Sequence, residues 1–359
     1  MNNTNKILIA TGGTGGHIFP AYSLAKYLIK NNFDVEIVTD KRGLKFLKIE
    51  KNLNVKVISS ATIFNKNFFL TIYSLLLIVK SFFQSLVLLI KSRPKIVFGM
   101  GGYSSFPTCI ASKILGIPFF TYENNLYLGK VNKYLLPFTT KMFVAYKDLE
   151  GVKNKYLSKM IETGNIIRED ILNFKISNSQ IEKKRLSLLI LGGSQAAKSF
   201  AKLLPIVFSQ CQKEGVEIEV YQQCQKSQID NLKQKYKEMK INNEIFSFTH
   251  DLKKYFPRVN LAITRAGSSM LAEFLNCNIP LILVPLPNSA DNHQLKNAKY
   301  FEKKGYGYLI EEHQILKKLL PLIKLIYEDK SLLNQIKINQ AKHSDKNVFD
   351  KIYKEIKKI

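Results

Sequence analysis

The sequence predicts two doubly wound α/β domains in tandem, and three observations carry that reading. Through the first half a short apolar run, a turn and an amphipathic stretch recur, the pattern of a parallel sheet covered by helices on both faces. A polar, lysine-rich patch with few long apolar runs, Ile171 to Arg185, interrupts it. Beyond the patch the pattern restarts, and each half opens on a strand, a Gly-Gly turn and a helix. At 359 residues the chain is also long for one core, and with 46% hydrophobic residues it can fill two. The expected parts are 1–170, 171–340 and a last amphipathic helix in 341–359 that is able to cross back to the first domain.

In chain order, the first-domain strands are expected at Ile7 to Ala10, Asp34 to Thr39, Val55 to Ser59, Ile96 to Gly99, Phe119 to Glu123 and Lys141 to Ala145. Ala21, Leu24, Ala25, Leu28 and Ile29 recur at helical spacing and give a helix over Ala21 to Asn31 with one buried stripe. Before it stands Thr11-Gly12-Gly13-Thr14-Gly15-Gly16-His17-Ile18-Phe19-Pro20. Four glycines in five positions leave the amides unshielded and allow positive φ. Pro20 suits a first helical position, where its missing N–H would have had no partner. Free amides and the positive end of the helix dipole make the junction a seat for a diphosphate. Two better-known glycine motifs do not fit. A Walker loop needs lysine and a hydroxyl where His17 and Ile18 stand, and the third glycine of the dinucleotide fingerprint falls on Ile18.

Phe68 to Ile90 is 23 residues with a single charge, Lys80. A span is opposed by that lysine near the centre, which costs roughly 2.5 to 3.5 kcal/mol on insertion. Asn67, Thr71, Ser74, Ser81 and Ser85 form a narrow polar face, with Phe69, Ile72, Leu76, Val79, Phe83 and Leu86 opposite. With Lys66, Lys91, Arg93 and Lys95 at its flanks, the segment reads equally as a helix in an anionic membrane interface or as a buried core helix.

In the second half, strands are expected at Leu186 to Leu191, Glu217 to Tyr221, Ile245 to Phe248, Leu261 to Thr264, Leu281 to Val284 and Gly307 to Ile310, with a helix from about Ala197. Three more amide-rich turns follow strands: Gly99 to Ser105, Gly192-Gly193-Ser194-Gln195, and Thr264 to Ser269. Ligands of open α/β sheets bind at that carboxyl edge. Tyr122-Glu123-Asn124-Asn125 offers a carboxylate and amides there, Glu273 is placed to reach a ribose diol, and Asp291-Asn292-His293-Gln294 starts another helix. Two Rossmann-like domains with such turns around a shared cleft describe the GT-B architecture.

Lys and Arg total 54 against 28 Asp and Glu, a formal charge of +26. The chain is also crowded with Asn and Ile, as A/T-biased coding would make it, so the charge by itself assigns no partner. No RNA-recognition signature, zinc-finger spacing or isolated basic tail is present, which argues against nucleic acid. Cys109, Cys211, Cys224 and Cys277 lie far apart without a C-x-x-C pair, against a zinc site or disulfide framework. Met1 to Lys6 runs directly into a strand, so no signal peptide is expected.

Thr11 to Pro20, Gly99 to Ser105, Glu123 to Asn125, Gly164 to Arg168, Gly192 to Gln195, Arg265 to Glu273 and Asp291 to Gln294 resemble, in order, the motif set of the MurG family. That resemblance implies an inverting transferase without an obligatory metal or other cofactor. It would move GlcNAc from UDP-GlcNAc to the 4-hydroxyl of lipid I, undecaprenyl-diphosphate-linked muramyl pentapeptide, giving lipid II at the cytoplasmic face of the bacterial plasma membrane. The first domain would face acceptor and membrane, and the second would bind the UDP-sugar. Donor contacts carried over from the family fall on Thr14, Gly15, Gly16, Asn125, Arg168, Ser194, Thr249, Ser268, Ser269, Met270, Leu271, Ala272 and Glu273, with Gln294 on the sugar. The chain departs from the family at Ala196, usually glycine, at Tyr122 and Asn124, usually His and Gln, and at His293, usually Gln.

Such chemistry needs a base for the acceptor hydroxyl and charge stabilisation for departing UDP. His17 is the first candidate base, because imidazole titrates near neutrality, and Glu123 is the second. Capping the turn or binding phosphate is the other reading of His17. Arg168 is a candidate cation for UDP, and Arg265 is either a second one or a surface residue. A GT-B transferase or epimerase with another donor, and a non-catalytic nucleotide-sugar receptor, are the competing functions.

Overall fold

The structure, a computed structural model, describes residues 5–13, 15–47, 53–60, 68–174, 185–193, 198–247, 249 and 251–359. The chain divides into two compact units, Met1–Arg168 with Asp345–Ile359, and Glu169–Ser344.

Among the described residues the first unit holds a seven-stranded sheet, β1 (Lys6–Ala10), β2 (Asp34–Thr39), β3 (Asn54–Val57), β4 (Ile96–Gly99), β5 (Phe119–Glu123), β6 (Lys141–Val144) and β7 (Met160–Glu162), ordered β3-β2-β1-β4-β5-β6-β7. Its helices are α1 (Gly15–Lys30), α2 (Lys41–Leu44), α3 (Phe68–Ser92), α4 (Ser105–Ile114) and α5 (Lys130–Leu135). The second unit opens with α6 (Glu169–Leu172). Its strands are β8 (Leu186–Leu191), β9 (Ile218–Gln223), β10 (Asn242–Phe246), β11 (Leu261–Thr264), β12 (Leu281–Leu283) and β13 (Gly307–Leu309), ordered β10-β9-β8-β11-β12-β13. They are covered by α7 (Lys198–Lys213), α8 (Ile229–Glu238), α9 (Ser268–Asn276), α10 (His293–Lys303), α11 (Ile315–Glu328) and α12 (Ser331–Gln340). Every ladder is parallel, so the carboxyl ends of all strands in a sheet share one edge. The chain is thus α/β with two Rossmann-like sheets, as its sequence predicts.

The last helix, α13 (Val348–Ile356), returns to the first unit. It buries Val348, Phe349, Ile352 and Ile356, stacks Phe349 on Tyr27 of α1 with ring centroids 4.7 Å apart, and accepts a 2.9 Å hydrogen bond from the Tyr27 hydroxyl on Asp350.

Four expectations need correction. Helix α1 starts at Gly15, six residues before Ala21, so Pro20 lies inside it rather than at its first position. Strand β10 starts at Asn242, ahead of the expected Ile245; it is an edge strand whose polar, half-exposed residues carry no apolar run. The three-residue edge strand β7 was not anticipated, for the same reason. The core reading of α3 holds for one flank only: Leu89 is fully buried with Phe82, Leu86 and Leu88 packed against the same core, but only 22% of the helix's most apolar window is buried. The helix packs on α4 through the serine face: Ser74, Ser81 and Ser85 are buried, and Ser85 and Thr108 share a 3.0 Å hydroxyl contact. Ile72, Leu76, Val79 and Phe83 face outward, Leu76 being 63% exposed and Phe83 60%. Small hydroxyl residues let the helices approach closely, which leaves these four large side chains no place against α4.

Candidate active site

In the first sheet the strand order reverses between β1 and β4, the crevice where open α/β sheets take ligands. The turns leaving those two strands lie against each other. A Cβ on Gly102 (φ +80°) would meet the Gly12 carbonyl oxygen at 2.2 Å, so only glycine permits this approach. A Cβ on Gly101 (φ +84°) would meet His17 Nδ1 at 2.7 Å, which places the half-buried imidazole directly over the second turn. Ser104 Oγ, fully buried, donates to the Thr11 carbonyl at 3.0 Å and fastens the turns together. Gly15 and Gly16 are the first two residues of α1, where backbone amides point out of the helix end. Thr14 lies outside the described residues.

Asp40, at the end of β2, caps α2. Its Oδ1 accepts from Gly43 N at 2.7 Å and Gly13 N at 3.5 Å, and its Oδ2 pairs with Arg42 at 2.7 Å. Burial pushes this carboxyl up, but the Gly43 amide, Arg42 and the Gly13 amide outweigh burial and hold it below its usual value. Asp40 therefore fixes the first glycine turn as an anion. Its capping pattern, Asp with glycine three residues on, was the available signal in the sequence.

The loop after β5 is built on a buried carboxylate. Glu123 Oε1 accepts from Asn125 N at 3.1 Å and Asn125 Nδ2 at 3.0 Å; its Oε2 accepts from Gly129 N at 3.0 Å and Asn132 Nδ2 at 2.9 Å. Four donors occupy both oxygens of a group only 2% exposed. Glu123 thereby holds Asn125 and the loop, and it can take a substrate proton only by giving up part of this cage. Asn124 reaches back to donate to the Gly16 carbonyl at 2.9 Å. Tyr122, buried, accepts from Ile166 N at 2.9 Å and donates to the Gly164 carbonyl at 3.3 Å. Burial raises its phenol well above the ordinary value, so it stays a neutral donor. Asn165 N donates to the buried Asp345 at 2.8 Å beside it, and Arg168, half-buried, follows on the same segment.

In the second sheet the order reverses between β8 and β11. Gly193 (φ +75°) leaves β8, while Ser194, Gln195 and Ala196 lie outside the described residues. Ser268, Ser269 and Met270 form the first turn of α9, and Glu273 lies one turn further. Leu271 and Ala272 are 0% exposed, so their side chains pack in the core. Thr249 is half-buried and its hydroxyl accepts from Asp251 N at 3.1 Å. Gln294 Oε1 accepts from Leu286 N at 3.0 Å, tying the start of α10 to the loop after β12. Asp291 (φ 51°) and Asn292 (φ 54°), both left-handed, precede α10, a strained approach that only short polar side chains tolerate readily. Arg265 is no surface residue: it is 6% exposed and salt-bridged to Glu312. Among the described residues no group of three or more His, Cys, Asp or Glu side chains is gathered to hold a metal.

Comparison with known proteins agrees with this architecture. Residues 7–144 match the glycosyltransferase family 28 N-terminal domain and residues 187–352 the family 28 C-terminal domain. The chain is 33% identical, over 89% of its length and 88% of the relative's, to the Pelagibacter ubique protein named UDP-N-acetylglucosamine--N-acetylmuramyl-(pentapeptide) pyrophosphoryl-undecaprenol N-acetylglucosamine transferase. A Francisella tularensis protein of the same name is 31% identical over 100% of this chain and 98% of its own. The crystal structure of Acinetobacter baumannii MurG superposes with a TM-score of 0.78 at 23% identity, covering 99% of this chain and 100% of that one, a likeness of fold.

Proposed function

The chain belongs to glycosyltransferase family 28, and from that premise we propose that it is the inverting transferase that moves N-acetylglucosamine from UDP-GlcNAc to the 4-hydroxyl of the muramyl unit of lipid I, giving lipid II for peptidoglycan. The observation that carries the reading is an amide-rich turn at the strand-order reversal of each sheet, in a chain 33% identical to a relative named for this transfer.

The second unit holds the donor. UDP lies on the amides around Ser194 and Ser268, Glu273 takes the ribose hydroxyls, and Thr249, Ser269, Met270 and Gln294 complete the nucleotide-sugar site. The first unit holds the acceptor, its diphosphate near the first glycine turn; Thr14, Gly15, Gly16 and Asn125 are further donor contacts, and Arg168 is the cation for departing UDP. The acceptor 4-oxygen attacks C1 of the sugar from the face opposite the diphosphate. A C–O bond forms as the bond from C1 to the β-phosphate oxygen breaks, the electron pair leaves with UDP, and the hydroxyl proton passes to His17. Inversion follows from the single displacement. Asp40, Ser104 and Glu123 hold the turns and the Asn125 loop.

A polyprenyl acceptor stays in the bilayer, and the exposed apolar face of α3, with Lys91, Arg93 and Lys95 at its end, supports peripheral docking at the cytoplasmic face of the bacterial plasma membrane. Mass spectrometry of a short-chain lipid I analogue incubated with protein and UDP-GlcNAc tests the transfer. A product heavier by one N-acetylhexosamine supports it, and an unaltered acceptor refutes it.

A further inference from the structure

The guanidinium of Arg265 joins four segments at the carboxyl edge of the second sheet. Its Nη1 donates to the carbonyl oxygens of Val284 and Pro285, both at 3.2 Å, at the exit of β12. Its Nη2 donates to Ser199 Oγ at 2.9 Å, in the first turn of α7, and to Glu312 Oε2 beyond β13. Ser199 in turn donates to the same Glu312 oxygen at 2.7 Å, and the guanidinium carbon lies 4.6 Å over the Phe200 ring. The backbone N–H of Arg265 donates to the Leu191 carbonyl at 3.2 Å, tying the exit of β11 to that of β8. A planar cation with fixed donor directions is suited to such a joint; a lysine ammonium has neither the fork nor the ring-stacking face.

These segments are the roots of the loops assigned to the donor. Ser194 falls in sequence between β8 and Ser199 of α7, Ser268 to Glu273 follow Arg265 itself, and the segment ending at Gln294 follows Pro285. One buried cation therefore sets the spacing of all three, although it belongs to none of the contacts inferred from the family. We propose that Arg265, held by Glu312 and Ser199, is the positioning residue that preorganises the UDP-sugar site of this chain. The proposal rests on the donor reading of the second unit. Removing the cation would leave Glu312 without its ionic partner and two carbonyls without this donor, so the loop roots separate and the donor meets a looser site.

The test measures UDP-GlcNAc binding by calorimetry and steady-state kinetics for wild type, Arg265→Lys, Arg265→Met, Glu312→Gln and, as a control for lost stability alone, Leu319→Ala, a fully buried position in the core of the same unit. The expected result is a donor KM and Kd raised at least tenfold in Arg265→Met, less in Arg265→Lys and Glu312→Gln, with acceptor KM within twofold of wild type. Leu319→Ala should lower the melting temperature and leave donor KM unchanged. Wild-type donor affinity in Arg265→Met, or an equal loss in Leu319→Ala, would overturn the proposal while the donor reading stands. No UDP-GlcNAc binding by wild type would overturn both.

Discussion

The side-chain amide of Asn124 donates to the carbonyl of Gly16 at 2.9 Å, four residues before Pro20 in α1. In a regular helix the N–H of residue 20 would bond the carbonyl of residue 16, but proline has no N–H. A loop 108 residues away supplies the missing donor. It thereby fixes the first turn of α1, which carries Gly16 and His17.

Asn124→Leu should therefore destabilise the protein by about 1–3 kcal/mol, the penalty for a buried polar group stripped of its partner. It should also lower turnover, because the helix start shifts. Asn124→Gln keeps the amide and should recover most of both. Urea unfolding and steady-state assays of the two variants measure this, and an unperturbed Asn124→Leu protein would show that another donor serves Gly16.

His17 and Glu123 are separable by pH. His17→Gln should lower turnover by roughly 10²- to 10⁴-fold, the usual worth of a general base, with donor affinity unchanged. It should also abolish the rise in activity with pH that a base active only when deprotonated produces. Glu123→Gln should lose turnover and stability yet keep that limb, since its four donors make it a positioning group. Loss of the limb in Glu123→Gln, with retention in His17→Gln, would reverse the roles.

Much of this was legible in the sequence, for reasons that also mark its limits. Buried parallel strands such as Ile96–Gly99 and Leu186–Leu191 read as unbroken apolar runs bounded by glycine turns. The edge strands Asn242–Phe246 and Met160–Glu162 bury little and leave no such run. The glycine turns announced themselves because close approaches, such as Gly102 on Gly12, exclude any side chain. Side-chain bonds between distant segments, Asn124 to Gly16, Tyr122 to Ile166 and Arg265 to Glu312, have no local periodicity and surfaced only once the chain was folded. On α3 the sequence showed two faces, but a stripe of serines reads as solvent-facing until a partner such as Thr108 is known.

Replacing Ile72, Leu76, Val79 and Phe83 together by serine should release the protein from vesicles of anionic lipid. Because all four side chains already face outward, the melting temperature should hold. Sedimentation with vesicles and a thermal melt decide it. Unchanged vesicle binding by the folded variant would remove α3 as the docking element.

Glu36, in the middle of β2, is 3% exposed, and its Oε2 has no hydrogen-bond partner among the described residues. Burial raises its carboxyl above the usual value, more than Lys6 and Lys56 lower it. The folded state then binds a proton that the unfolded state releases at about pH 4. Stability from this group is full below that pH and falls as pH rises through the raised folded value. Glu36→Gln should flatten that fall, as read from urea midpoints between pH 4 and 8. An identical slope in the variant would show that Glu36 contributes nothing to it.

The most direct measurement is steady-state UDP release from UDP-GlcNAc, UDP-glucose and UDP-GalNAc, each with and without a short-chain lipid I analogue. Fast release from UDP-GlcNAc alone among the three, and only with the acceptor present, is the predicted result. Binding of UDP-GlcNAc without acceptor-dependent release, or equal release from all three donors, would contradict transfer of N-acetylglucosamine to lipid I.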